Sequence, residues 1–132
     1  MSADPIPRTG APAGHPSWEL VLTDQQDVAA VRRAVQELLA TAVPDELLDD
    51  VVVVVSELVS NTYSHSQDPR LLRVSRFPGG VRVELEGADP SPALVDESRT
   101  VLVLDRLCTG WGVLAEPNGP SRAWAQVPDD VR

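Results

Sequence analysis

Glu57, Asn61 and His65 stand four residues apart in the segment Ser56-Glu57-Leu58-Val59-Ser60-Asn61-Thr62-Tyr63-Ser64-His65. On a helix the three would line one stripe, because side chains four apart sit one above the other. A carboxylate, an amide oxygen and an imidazole so aligned can orient a water, complete a magnesium shell and touch a phosphate. Magnesium takes few protein ligands and favours phosphate oxygens, so a single Asn from the protein is chemically sensible. Polar stripes on helices are also ordinary, and a solvated face with i,i+4 hydrogen bonds is the plainer account from spacing alone. Zinc is a poorer match, since the stripe offers one His, one Glu and no thiolate.

The elements that must carry this stripe can be read from periodicity. Trp18 to Leu22 reads as a short strand. Thr23 or Asp24 can cap a helix to about Thr41, with Val28, Val31, Val35, Leu38 and Leu39 forming its apolar face. Pro44, Asp45 and Glu46 begin a second helix that runs to about His65, the acidic pair suiting its positive end. Its five consecutive valines alone would suit a strand. Leu47, Leu48, Val51, Val52, Val55, Leu58 and Val59 nevertheless keep helical spacing over a segment too long for a strand. Leu71 to Phe77, the turn Pro78-Gly79-Gly80 and Val81 to Glu86 form a hairpin. In it Leu72, Val74, Val81, Val83 and Leu85 point inward, with Arg73, Arg82, Glu84 and Glu86 outward. Asp96 to about Cys108 predicts a third helix, and Trp111 to Leu114 and Ala123 to Val127 predict two closing strands. The order implies an α/β two-layer sandwich, a mixed and mostly antiparallel sheet with its helices on one face. Neither GxGxxG nor a Walker-type GxxxxGK[ST] occurs.

Composition sets the outer limits. The 132 residues suggest one domain, with residues 1–17 as a disordered lead-in, residues 18–128 folded and 129–132 a tail. Four prolines among Gly, Ala, Ser and Thr mark that lead-in. A net charge of -9, with no lysine, argues against nucleic-acid or anionic-membrane partners, which need clustered positive charge. The single cysteine, Cys108, excludes an intrachain disulfide and reads as a small core residue. The first residues lack the pattern of a signal peptide, and the longest apolar run, Val51 to Val55, is far below the ~20 residues of a membrane span. A cytoplasmic protein is the expectation.

The segment Ser-Glu-Leu-Val-Ser-Asn-x-x-x-His after a Val-rich helix closely resembles the N box of the GHKL (histidine-kinase-like ATPase) superfamily. Among its members the similarity is to the small anti-sigma-factor serine kinases. The resemblance spans about Trp18 to Pro128, including the hairpin, the stretch from Asp105 to Val113 and the closing strand at Trp124-Ala125. It implies ATP and Mg2+ as cofactors, Glu57 as the catalytic base, Asn61 as the magnesium ligand and His65 near the phosphates or the adenine-side wall. Thr62 stands where these proteins usually have Ala.

Other family motifs are altered. The aspartate that recognises adenine aligns with Gly87, and Asp89 could replace it only if the loop shifts. The glycine-rich lid motif reads Glu97-Ser98-Arg99-Thr100-Val101, in which only the Arg survives. Arg99 and Thr100 are the nucleotide-binding candidates there, although side chains at Ser98 and Thr100 would hinder close backbone approach to phosphate. A Gly-Lys-Thr motif becomes Pro120-Ser121-Arg122 and loses its Lys. The resemblance with these departures predicts a regulator that binds a protein partner in bacterial transcription or signalling, with ATP binding weak or absent. The partner would be a sigma factor, an anti-sigma antagonist or a signalling protein. The alternative is a working Mg-ATP-dependent kinase acting on a serine of an antagonist, and a plain dimerisation domain is a third option, since relatives often form homodimers. Partners in this family dock around the first helix and the lid. Arg32 and Arg33, the only adjacent basic pair of the chain, are therefore the expected partner-binding residues.

Overall fold

The computed structural model describes residues 6–8, 16–22, 27–64, 71–87, 98–114 and 122–129. In chain order these form strands β1 (Ile6–Arg8) and β2 (Ser17–Val21), helices α1 (Val28–Leu39) and α2 (Asp45–Ser64), and strands β3 (Leu71–Phe77) and β4 (Gly80–Glu86). Helix α3 (Ser98–Leu107) and strands β5 (Gly110–Leu114) and β6 (Arg122–Pro128) follow. The six strands make one sheet in the order β1-β2-β3-β4-β6-β5. All five pairings are antiparallel, so the sheet is not mixed among its described strands.

Alternation decides which face each strand buries. Leu20, Leu72, Val74, Val81, Val83, Leu85, Ala123, Ala125 and Val127 lie in the core. The side chains between them form the other face. There Arg73 donates to Glu19 at 2.9 Å, Arg82 to Glu84 at 3.2 Å, and the Arg82 guanidinium stacks 4.6 Å from the Trp124 ring centre. Such half-exposed ion pairs each contribute at most about 1 kcal/mol. Arg73 also lies 3.6 Å from Glu84, and these cross-strand contacts follow the register Glu19–Arg73–Glu84–Trp124 across four strands.

The helices cover the apolar face, with α2 packed between α1 and α3 and against β4 and β6. The five valines are helical as the flanking spacing predicts. Val51, Val54 and Val55 are fully buried while Val53 is 43 % exposed, an inequality that helical geometry produces and strand alternation does not. The Pro44 carbonyl accepts from Leu48 N at 2.9 Å, which opens the helix just ahead of Asp45 and Glu46.

Two sequence expectations need correction. Helix α1 is capped by Asp27, in extended backbone, whose carboxylate accepts from Ala29 N at 3.0 Å. The cap expected at Thr23 or Asp24 falls outside the described residues. Within the lead-in expected to be disordered, Ile6–Arg8 pairs with Glu19–Val21 as an edge strand. Pro7 has no N–H to give, and an edge position is where a sheet tolerates that loss.

The β3–β4 turn holds two glycines for different reasons. Gly79 has φ 101° and open space where a Cβ would sit, whereas a Cβ on Gly80 would clash with the Val127 carbonyl oxygen. Gly79→Ala is expected to cost about 1 kcal/mol in backbone strain. Gly80→Ala is expected to cost about 3 kcal/mol, the upper range for overpacking, because backbone must move to make room. Urea midpoints of the two variants check this, and equal losses would contradict it.

Candidate functional site

The buried stripe of α2 fixes where its polar residues go. With Val51, Val54, Val55, Leu58 and Val59 turned into the core, Glu57 falls on the flank facing α3, and Asn61 follows one turn later, buried with Thr62. Thr62 returns its hydroxyl to the Leu58 carbonyl at 2.8 Å, and Ser56 does the same to Val52. These i−4 bonds satisfy both hydroxyls within the helix.

Helix α3 closes on Glu57. Thr100, buried, donates its hydroxyl to Glu57 Oε1 at 3.3 Å, and Arg99 Nε lies 3.5 Å from Oε2. The Glu57 side chain is 15 % exposed and that of Arg99 82 %. Both Arg99 and Thr100 belong to the first turn of α3, so the carboxylate faces the positive end of that helix as well. Both carboxylate oxygens are thereby engaged by this chain's own groups. In this arrangement part of the acceptor capacity of Glu57 is engaged within the chain, and the residues fit Mg-ATP only in part.

Of the site residues expected from sequence, Glu57, Arg99 and Thr100 meet and Asn61 lies on the same helix one turn away. His65 and Asp89 fall outside the described residues. Arg32 and Arg33 are exposed on α1. Gly87, which the family resemblance aligns with the adenine-recognition aspartate, has φ 98° at the end of β4. An Asp there would be strained as well as absent, because that backbone region favours glycine.

Two features were not anticipated from sequence. Arg99 and Thr100 contact Glu57, which no spacing rule links across 42 and 43 positions. The Trp111 indole donates to Asp105 Oδ1 at 2.8 Å and ties α3 to β5. Cys108, half-buried at the end of α3, has its thiol pushed up to about 12 by burial and by Asp50 and Asp105. Burial and the two nearby carboxylates disfavour its thiolate form. Among the described residues no group of His, Cys, Asp and Glu could hold a metal ion, and no helix is long and apolar enough to cross a membrane.

An antiparallel sheet covered on one face by helices, with a Glu/Asn stripe on the central helix, defines a histidine-kinase-like ATPase architecture. The family model described as histidine kinase-like ATPase domain matches residues 21–114. The chain belongs to that family. No curated protein matches it.

Proposed function

We propose that this chain is a regulator of the anti-sigma-factor type, acting by protein–protein binding in bacterial transcription or signalling control, with ATP binding weak or absent. The engagement of Glu57 by Arg99 and Thr100 carries this reading. The base the family would use is contacted by residues of the lid motif. Gly87 adds to it, since neither the carboxylate nor the backbone for adenine recognition is present.

The second reading is a serine kinase acting on an antagonist protein. It is favoured by the presence of Glu57 and Asn61 on one helix, a turn apart. Bound magnesium and ATP would supply the phosphoryl group. Glu57 would orient the acceptor hydroxyl, and Asn61 would hold the metal.

The readings separate at the partner. Arg32 and Arg33 are exposed on α1 in a chain whose net charge is -9, and the proposal places partner contact there. Arginine is enriched at interface hot spots, where truncation costs about 2 kcal/mol or more. The double change Arg32→Ala, Arg33→Ala is expected to weaken binding to the cognate sigma factor or antagonist by about tenfold or more. Glu57→Ala should leave it nearly unchanged. Biosensor titration against the purified partner is the check, and loss of binding in Glu57→Ala but not in the arginine pair would favour the kinase.

A further inference from the structure

We propose that the first turn of α3 is a latch on Glu57, an autoinhibitory contact that keeps the carboxylate engaged and the polar stripe of α2 closed to nucleotide. The proposal rests on reading this stripe as a nucleotide-type site of reduced affinity. Two observations support it. The two oxygens of one carboxylate are taken by consecutive residues of another element, Thr100 on Oε1 and Arg99 on Oε2. The two ends of α3 are held differently. Its C-terminal half is fixed by fully buried Leu104 and by the Asp105–Trp111 hydrogen bond, whereas the first turn carries Arg99 at the surface and is followed by Leu102, 62 % exposed. Apolar packing thus anchors one end, and polar contacts to Glu57 hold the other.

The latch is also of a strength that can open. Thr100 and Glu57 are shielded from solvent, so their hydrogen bond biases the closed arrangement. The Arg99 ion pair is largely solvent-exposed and therefore weak. A site open about one-tenth of the time binds about tenfold more weakly than the same site held open. On this account part of the affinity loss is conformational and reversible, not only a consequence of missing motif residues.

Arg99→Gln and Thr100→Val, singly and together, test it by calorimetry with Mg-ATP, alongside amide hydrogen exchange over α3. The double variant is expected to bind Mg-ATP about tenfold more tightly than the unmodified chain. Exchange at Leu102–Leu104 should quicken by about tenfold while the centre of α2 is unaffected. Because Arg99 is exposed, Arg99→Gln is expected to fold normally, and alone it should move both readouts in the same direction. Equal affinity in all variants, including no detectable binding by any, overturns the latch. Weaker binding in Arg99→Gln also overturns it and makes Arg99 a phosphate contact. Low-micromolar binding by the unmodified chain overturns instead the reading of a reduced-affinity site, and the ratio between variant and unmodified chain still decides the latch.

Discussion

Titration of the purified protein with Mg-ATP is expected to give a Kd above ~100 μM or no heat of binding. The expectation follows from counting what the site lacks. A buried, charge-assisted hydrogen bond such as the one to the adenine amino group contributes about 1.5–3 kcal/mol, or ten- to a hundredfold in affinity. The family resemblance aligns that position with Gly87, at φ 98°. In the alignment that the family resemblance implies, Ser98 and Thr100 stand where glycines would let backbone amides approach phosphate, and Thr100 donates to Glu57. The lysine of the last motif is missing, as it is from the whole chain. Any two of these losses would carry a micromolar site past the stated bound. A titration with low-micromolar affinity would mean that other groups replace them.

Much of the fold was legible because periodicity is a local signal. The β3–β4 hairpin follows from alternation in two short runs around Pro78 and Gly79, and each inward residue expected there is buried. Helix α2 was the harder case, since a run of valines favours a strand. It resolved through Leu47, Leu58 and Val59 on either side, which continue a helical pattern beyond the run and are all buried. Strand β1 was not legible. Three residues with a central proline carry no strand signal, and only the neighbouring edge of β2 makes them one. The placement of β6 between β4 and β5 is likewise tertiary, because nothing in Arg122–Pro128 specifies its neighbours.

The site divides along the same line. Glu57 and Asn61 share a helix, so their spacing alone puts them together. What Glu57 touches is decided by how α3 lies on α2, which depends on Leu104 entering the core and Trp111 holding Asp105. From sequence, Arg99 and Thr100 are expected at phosphate because their family motif lies there. In the fold they meet a carboxylate first. A motif states which residues are near a site, whereas the charges already present decide which of them remain free for a ligand.

Leu58→Ala is expected to destabilise the protein by about 2–5 kcal/mol, the range for a leucine cut back to alanine in a packed core. Leu58 is 1 % exposed on the face of α2 that meets β4 and β6. Its removal would leave a void under the helix at the turn that carries Glu57. Compared with a native stability of about 5–15 kcal/mol for a domain, that loss is large. Val53→Ala, five residues earlier on the same helix and 43 % exposed, is the matched control and should cost no more than about 0.5 kcal/mol. Urea unfolding followed by far-UV circular dichroism reads both, with the midpoint moving and the slope unchanged if only stability differs. The comparison also bears on the site. Glu57 owes its position to the α2 backbone, so loosening at Leu58 should speed amide exchange through Leu58–Thr62, while Val53→Ala should not. Similar midpoints for the two variants would mean that α2 does not bury the face assigned to it, and the position of Glu57 beside α3 would fall with that assignment.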